Sequence, residues 1–334
     1  MIRSLTLLAA AALCCAGAQA QNQLQIFGLL DMSAGRFQDA GAERVWRADS
    51  GSLSTSFIGF KGRNDLGGGL KSIFAIEHYL RVDRGAAGRF DGEAFWARNA
   101  YVGLSGAFGT SVLGRNTTPL YVSTLLFNAF GDSFGFSPSI RQLFAPAMLP
   151  FFGDTAWNNS LAYSSNDNDG LTINLIANLG EGAAGARGRN HGANLLYFSG
   201  PLGATFAWQK VRNGAVGTPP GWSGQTTWQL GLSYDLEVAK LFGQVSEVET
   251  GASVNTVTRL WSFGTSVPIG PGKALAQYGY ATAKTPVEVE HKTLTLGYDM
   301  ALSKTTDVYG VFMADKITGL SIGKTVAAGM RLRF

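Results

Sequence analysis

The chain alternates apolar and polar residues with a period of two over many segments of about ten residues. In the last eleven residues every second side chain is apolar: Val326, Ala328, Met330, Leu332 and Phe334. The segments 226–236 and 291–300 alternate in the same way, and aromatic residues close several of the apolar rows. Such alternation predicts β-strands with one face in an apolar medium and the other in water.

Sixteen segments carry this alternation, separated by the turn-forming residues Gly, Asn, Asp and Pro. They are 24–36, 53–63, 69–82, 93–105, 107–115, 157–165, 170–179, 190–199, 203–212, 224–235, 239–249, 254–267, 272–284, 289–300, 305–315 and 323–334. An even number of strands of this length is typical of a transmembrane β-barrel with both chain ends on one side. The pattern therefore predicts an all-β fold, a sixteen-stranded antiparallel transmembrane barrel.

The predicted connections alternate between tight turns and longer loops, which is the asymmetry of an outer-membrane barrel. The tight turns are 64–69, 105–109, 166–170, 200–203 and 268–272. The longer connections include 37–52, 180–190 and 213–223. Residues 117–156 form a far longer connection without strand periodicity, and structureless stretches of that length are usually functional.

The composition agrees with a lipid environment. Of the 334 residues, 46% are hydrophobic, 15% are charged and 44 are glycine, whereas soluble domains average roughly 25% charged residues and about 7% glycine. No stretch reaches the roughly 20 apolar residues of a membrane helix. The net charge of +4 is small and dispersed, which argues against nucleic acid as a partner.

Residues 1–20 have the pattern of a secretory signal peptide, with Arg3 ahead of a short apolar run and small residues at Ala18 and Ala20. We expect cleavage to leave residues 21–334 as a single barrel domain. Both cysteines lie inside the signal segment. The mature chain would then have no disulfide and no thiol nucleophile.

No catalytic or metal-binding motif is apparent. The three histidines, His78, His191 and His291, are scattered over three predicted strands without metal-ligand spacing. A Ser or Asp beside a lumen-facing His291 would be the place to look for catalysis. We expect no enzyme activity, no cofactor and no metal.

Two segments resemble a known family. They are TSFIGFKGRNDLGGGLKSIFAIE (55–77) and AFWARNAYVGLSGAFGTSVLGRNTTPLY (94–121), together with FGLLD at 27–31 and a terminal aromatic residue, Phe334. These motifs resemble the general trimeric porins of β-proteobacteria, of the Neisseria, Bordetella and Burkholderia type. The resemblance is dense over 23–121 and thin over 122–290.

The resemblance implies a homotrimer in the outer membrane of a Gram-negative bacterium, with one water-filled pore per subunit for passive diffusion of small hydrophilic solutes and ions. It implies that the loop 117–156 folds into the lumen as a constriction. Membrane lipid, lipopolysaccharide and the outer-membrane insertion machinery are the further expected partners. The C-terminal row Met330, Leu332 and Phe334 looks like the signal read by that machinery, although Phe334 could equally be an interfacial aromatic residue alone.

Charged side chains at the narrowest point set the selectivity of a pore. Strand alternation assigns Lys61, Lys71, Glu77 and Arg81 to the lumen, and porins of this family resemble one another in a lumen arginine at the position of Arg98. From the loop, we expect Asp132, Arg141 and Asp154 to contribute. The alternative is that these charges are solvated lumen residues without influence on transport.

Two departures from the family pattern remove positive charge from the constriction. The family's Ser-Arg is here Ser56-Phe57, and the arginine expected ahead of the sixth strand is Ala156. The anion selectivity that part of the family shows is therefore in doubt for this chain.

The long loop is rich in phenylalanine. It holds seven of the chain's 21 phenylalanines: 127, 130, 134, 136, 144, 151 and 152. The rings either pack the loop against the wall, or some of them, such as Phe134 and Phe136, line a constriction suited to aromatic or weakly polar solutes. The second interpretation would make the protein a substrate-specific channel. A further hypothesis is that the outer loops bind partners outside the cell.

Overall fold

A computed structural model describes residues 23–179, 189–212, 214, 217–284 and 288–334, which form one closed antiparallel sheet. The strands are β1 (Gln23–Phe37), β2 (Val45–Ser50), β3 (Phe57–Gly67), β4 (Leu70–Arg81), β5 (Ala86–Ala87), β6 (Asn99–Gly106), β7 (Gly109–Thr117), β8 (Ala156–Ser164), β9 (Leu171–Asn178), β10 (His191–Ser199), β11 (Leu202–Val211), β12 (Gly224–Asp235), β13 (Lys240–Gly251), β14 (Thr256–Ile269), β15 (Gly272–Lys284), β16 (Glu288–Ala301), β17 (Thr306–Ile317) and β18 (Gly323–Arg333). Two short helices, α1 (Pro119–Leu126) and α2 (Pro138–Phe144), lie between β7 and β8. None of the helices in these residues is long and apolar enough to cross a membrane.

The first and last strands close the barrel. β1 pairs with β18 along one edge, and with β2 and β3 along the other. Because β2 and β3 pair with successive halves of β1, they act as one barrel strand that is interrupted at 51–56. β5 is a two-residue pairing on β4. When β2 and β3 are counted as one strand and β5 is left out, sixteen strands close the barrel. The predicted fold class is confirmed.

The interruption at 51–56 corrects two predicted boundaries. Residues 37–52 were expected to be a loop but contain β2, and the strand expected at 53–63 begins at Phe57. The physical reason is a buried carboxylate on β1. Asp31 accepts hydrogen bonds from the backbone N–H groups of Leu53, at 3.2 Å, and Ser54, at 2.8 Å, so this backbone bonds to a side chain instead of a neighbouring strand.

The strand expected at 93–105 begins later, at Asn99. The preceding residues leave the sheet because Phe95 and Trp96 pack outside the barrel against His78. The rings of His78 and Phe95 are stacked with their centroids 3.9 Å apart. Aromatic packing therefore replaces strand pairing here.

Both described chain ends lie at the end of the barrel that carries the tight turns. At the opposite end the first three connections, 38–44, 82–98 and 118–155, are long, but the later connections 252–255 and 318–322 are short. The connection 212–223 between β11 and β12 is also long. The expected asymmetry is therefore present as far as β12 and absent from the connections 252–255 and 318–322. The predicted signal peptide and most of the predicted loop 180–190 lie outside the described residues, as do residues 213, 215 and 216 of the loop 213–223.

Cross-strand pairing divides the side chains into two rows, because directly paired residues share a face. One row carries exposed apolar side chains, such as Leu232 and Phe263, each 59% exposed. The other row is mostly polar and contacts the segment 118–155 on strands from β10 to β16. One segment can reach so many strands of a closed barrel only from within, so the polar row faces the lumen.

Candidate pore constriction

The segment 118–155, hereafter the long loop, first lies against β10–β12 through α1. Thr118 caps this helix by accepting a hydrogen bond from the backbone N–H of Tyr121, with Pro119 at the first turn. Ser123 is 2.8 Å from the hydroxyl of Thr205, and the Thr124 hydroxyl donates to Gln229 at 2.7 Å. Hydroxyl and amide side chains therefore hold the helix on the wall.

The tip of the long loop crosses to the other side of the lumen. The Gly135 N–H and the Ser133 hydroxyl both donate to the carbonyl of Ser52, at 3.1 Å and 2.7 Å. The Ser54 hydroxyl donates to Asp132 at 3.0 Å. The interruption between β2 and β3 therefore provides the surface on which the tip rests.

The return path of the long loop follows β14–β16 through α2. Ser139 and Ser262 hydroxyls are 2.7 Å apart, and the Gln142 amide donates to Thr293 at 3.2 Å. The Thr295 hydroxyl donates to the Phe136 carbonyl at 2.8 Å. The loop consequently covers the inner wall from β10 round to β17.

The wall that the long loop leaves uncovered borders a cavity of about 440 Å³. The cavity extends along β6–β10 and reaches Pro119 and Val122 of α1. Its lining has no charged side chain; it consists of amide, hydroxyl, aromatic and aliphatic residues, among them Asn99, Tyr101, Asn116, Asn174 and Ile176. This space is an open part of the lumen beside α1.

Arg98 and Glu77 form an ion pair at the edge of that space. Arg98 donates to the Glu77 carboxylate, which is buried and also accepts from the Asn99 amide at 3.1 Å. The Arg98 guanidinium lies 4.0 Å from the centre of the Phe57 ring. Phe57 is thus a stacking surface for Arg98 at the position where the resemblance implies an arginine.

Lys61 and Lys71 lie on the lumen row and are exposed. The Lys61 ammonium is 4.6 Å from the centre of the Phe27 ring. Neither lysine has a carboxylate within salt-bridge distance among the residues that the structure describes. They are therefore free positive charges on the lumen wall formed by β3 and β4.

Arg81 does not belong to the constriction as expected. It lies at the end of β4, donates to the carbonyls of Ala87 and Gly88, and pairs with Asp91 at 2.6 Å. Alternation along β4 did not predict these partners. Its side chain holds the loop 82–98.

The three charged residues expected from the long loop have separate surroundings. Arg141 pairs with Asp39 at 2.8 Å and lies 3.8 Å from Asp315 on β17. Asp154 lies 3.3 Å from Arg115, at the base of the loop. Burial raises the pKa of Asp132, an effect that the hydrogen bond from Ser54 and the charge of Arg98 oppose.

Most of the loop phenylalanines contact the wall. Phe127, Phe130, Phe136 and Phe152 are each at most 4% exposed. Phe136, expected to line the pore, is 1% exposed and packs edge-on against Tyr309 with ring centroids 6.4 Å apart. Its assignment to the pore lining is wrong because the tip turns this ring towards the wall. Phe134 is only half-buried and lies 6.2 Å from the Tyr121 ring.

An ion cluster on the lumen wall was not predicted from the sequence. Arg331 of β18 donates to Asp299 at 2.7 Å and to Asp307 at 2.5 Å, and the side chains of all three residues are at most 12% exposed. Arg331 is directly opposite Asp307 on one side and Asp31 on the other. The antiparallel order of the last strands, with Arg331 on the polar row, was the available signal.

At the end of the barrel with the tight turns, the C-terminal residue completes the closure. The Gly28 N–H donates to the Phe334 carbonyl at 3.0 Å, and the Phe334 N–H donates to the Gly28 carbonyl at 3.1 Å. Met330 and Leu332 lie on the outward row and are exposed. Together with Phe334 they form an apolar row along the outside of the last strand.

The chain is similar to known proteins over nearly its whole length. The family described as Gram-negative porin matches residues 5–319. Outer membrane porin protein 32 of Delftia acidovorans is 30% identical over 91% of this chain and 87% of its own length, and an outer membrane porin protein of Bordetella pertussis is 26% identical over 98% of each chain. The solved anion-selective porin from Comamonas acidovorans superposes with a TM-score of 0.78 at 26% identity, covering 94% of this chain and all of the other.

Proposed function

Because the chain belongs to the Gram-negative porin family, and is therefore an outer-membrane barrel whose relatives are channels and not enzymes, we propose that it is a passive diffusion pore for small hydrophilic solutes and ions. The observation that carries this proposal is the open lumen beside the long loop, a cavity of about 440 Å³ that has no charged lining. Sixteen strands enclose more space than side chains can fill. The loop reduces that space and leaves one side open.

The charges of the lumen wall on β3 and β4 support a weak preference for anions. Glu77 and Arg98 neutralise each other, whereas Lys61 and Lys71 have no acidic partner in the described part of the chain. Free cations at a constriction raise the local concentration of anions. Phe57 and Ala156 remove two positive charges expected from the family pattern, so we infer that the preference is weaker than an intact arginine cluster would give. The relative from Comamonas acidovorans is itself described as anion-selective.

The zero-current potential of the purified protein in a planar bilayer, under a tenfold KCl gradient, tests this proposal. A small potential of the sign produced by chloride permeation is expected. A potential of the cation-selective sign would overturn the assignment of Lys61 and Lys71. Absence of conductance in correctly folded protein would overturn the pore itself.

A homotrimer is the assembly that the resemblance to trimeric porins implies, with a removed signal peptide at 1–20 and the mature domain at 21–334. Closure of single channels in steps of one third of the full conductance is the expected signature. We propose that membrane lipid, lipopolysaccharide and the insertion machinery are the other partners. Deletion of Phe334 should lower the yield of inserted protein while leaving single-channel conductance unchanged; a normal yield would refute the signal role of Met330, Leu332 and Phe334.

A channel with a preference for weakly polar solutes is a second candidate, now supported by the uncharged cavity more than by the loop phenylalanines. Four of the seven rings are buried against the wall, and Phe144 and Phe151 pack partly buried against a second apolar cluster. Phe134 beside Tyr121 is the remaining ring. Saturable flux of an uncharged aromatic solute, lost in Phe134→Ser while KCl conductance stays the same, would support this candidate. Flux that rises linearly with concentration for every solute would exclude it.

A further inference from the structure

We propose that four outward-facing basic residues, Arg36, Lys292, Lys316 and Lys324, bind the phosphate groups of an outer-leaflet lipid whose acyl chains lie in an apolar groove below them. These four residues are called the basic patch. The inference rests on the outer-membrane location and is independent of the proposed selectivity of the pore.

The basic patch is defined by strand register. Lys292 of β16 is directly opposite Lys316 of β17, and Lys324 of β18 is opposite Ala314, two residues from Lys316 along the same face. Arg36 of β1 is opposite Val326, two residues from Lys324. All four therefore lie on the outward row of four neighbouring strands.

Such an arrangement is unfavourable without an anion. Like charges directly opposite each other on neighbouring strands destabilise a sheet. Among the described residues, the patch has one ion pair, between Lys292 and Glu290 at 2.7 Å. Glu290 also accepts a hydrogen bond from the Tyr280 hydroxyl at 2.6 Å. The Lys316 ammonium donates to the Leu320 carbonyl. Of the four cations, Lys292 alone has a carboxylate partner among the described residues.

The side chain of Arg36 adds an unsatisfied donor. Its Nε is buried from solvent and has no hydrogen-bond partner among the residues that the structure describes. An arginine donor without an acceptor is costly, and a phosphate oxygen is the kind of acceptor that guanidinium groups bind with strong, charge-assisted hydrogen bonds. Beside it, Trp46 is 77% exposed and directly opposite Arg36 on β2. Tryptophan is enriched where a membrane protein meets the headgroups.

An apolar groove of about 830 Å³ continues from the basic patch towards the middle of the membrane. Small side chains on the outward row, including Ala34, Gly310 and Ala328, create the depression, and Leu296, Phe312 and Val326 line it. On β17 the outward row runs from Lys316 through Ala314 and Phe312 to Gly310. The cations therefore stand at the loop end of the apolar surface and the groove lies below them.

Cations at the loop end of the barrel, with an apolar groove below them, together fit one occupant. In outer-membrane barrels the longer loops lie outside the cell and the short turns face the periplasm, so the basic patch is at the level of the outer-leaflet headgroups. Basic pockets at headgroup level bind phosphorylated lipids. A lipid with phosphates on the headgroup and several acyl chains satisfies the cations and fills the groove at once.

The experiment compares two double variants in detergent micelles. Lys316→Gln/Lys324→Gln removes half of the basic patch. Lys210→Gln/Lys284→Gln removes two outward cations from other strands and serves as the matched control. The probes are lipid A with two phosphates and the same lipid without phosphates, and the readout is bound lipid in native mass spectrometry.

We expect the affinity of the patch variant for bisphosphorylated lipid A to fall about thirtyfold, because each cation near a headgroup contributes to binding, and that of the control variant to stay unchanged. The dephosphorylated lipid should bind weakly to all forms. Unaltered KCl conductance of each variant shows that the barrel is folded. Equal lipid binding by the two variants would overturn the proposal, as would a changed subunit stoichiometry without loss of lipid, which would make this face a contact between copies.

Discussion

The lumen wall has two sectors that differ in charge. The charged sector consists of six neighbouring strands, β16, β17, β18, β1, β3 and β4, whose lumen rows carry Asp31, Lys61, Lys71, Glu77, Asp299, Asp307, Asp315 and Arg331, among others. The neutral sector consists of β6–β15. Within its described strands the lumen row is uncharged except near the tight turns, with Asp235, Lys240 and Lys273, and Arg115 lies in a bulge.

The two sectors of the lumen wall have different structural roles. In the charged sector, opposite charges join the last three strands, as the contacts of Arg331 on β18 with Asp299 on β16 and Asp307 on β17 show. In the neutral sector, amides and hydroxyls hold the long loop or line the open cavity. Ion pairs therefore stabilise the strands beside the barrel closure, and neutral hydrogen bonds position the constriction.

Replacement of Arg331 by methionine should have the largest effect. The change leaves the buried carboxylates of Asp299 and Asp307 without their main cation, and loss of one partner of a buried ion pair costs about 3–5 kcal/mol. Urea unfolding followed by tryptophan fluorescence in micelles measures the loss of free energy of unfolding. Arg333→Met is the matched control: its side chain is 42% exposed, so its loss should cost at most about 1 kcal/mol. Equal costs for both variants would show that the cluster does not stabilise the barrel.

In the neutral sector, replacement of Asn194 by leucine should have the next largest effect. The Asn194 amide is 1% exposed and donates to the Pro119 carbonyl at 2.8 Å and to Ser123 at 2.9 Å. Its loss leaves buried polar groups unsatisfied, at a cost of about 1–3 kcal/mol, and releases α1 from the wall. Single-channel recordings should show more frequent current fluctuations.

The control for this variant is Thr227→Val in the same sector. Thr227 is completely buried, and its hydroxyl has no hydrogen-bond partner in the described ranges. The substitution conserves shape and removes an unsatisfied group, so stability and current noise should stay the same within about 0.5 kcal/mol. Unchanged current fluctuations in Asn194→Leu would show that other contacts hold the long loop.

The sequence predicted the strands and the facing of their side chains because both depend on a local period of two. It did not predict the interruption at 51–56, because the cause is a carboxylate more than 20 residues away on β1. The direction of Phe136 was also beyond prediction. A loop without periodicity assigns no face to a ring, and only its tertiary contact with Tyr309 does so.

The ion cluster is an intermediate case. Alternation placed Arg331 on the lumen row, and the antiparallel order of the last strands made Asp307 and Asp299 available as partners. What the sequence lacked was the register that brings these residues to the same level. A search for opposite charges on the lumen rows of neighbouring strands would have identified the cluster.

Reversal of one free charge should change selectivity more modestly. Lys61→Glu places a negative charge on the open side of the charged sector and should lower the chloride-to-potassium permeability ratio about threefold, the size of effect expected for a screened charge in water. Zero-current potentials under a KCl gradient measure the ratio. Lys240→Glu makes the same charge change near the tight turns of the neutral sector, away from the loop, and should leave the ratio nearly unchanged. A larger effect from Lys240→Glu would locate the selecting region outside the constriction.

Acidification should give the smallest change in selectivity. Protonation of one carboxylate changes the lumen charge by one unit, whereas Lys61→Glu changes it by two. Burial raises the pKa of Asp132 above that of an ordinary aspartate, so this carboxyl takes up its proton at a higher pH than exposed carboxyls do. As the pH falls through that raised value, the loop tip loses its negative charge near Arg98 and the preference for anions should increase. Zero-current potentials recorded between neutral and acidic pH measure the increase. Asp132→Asn should show the acid-like selectivity already at neutral pH and lose this step; a step that persists in the variant would assign the titration to other carboxylates of the charged sector.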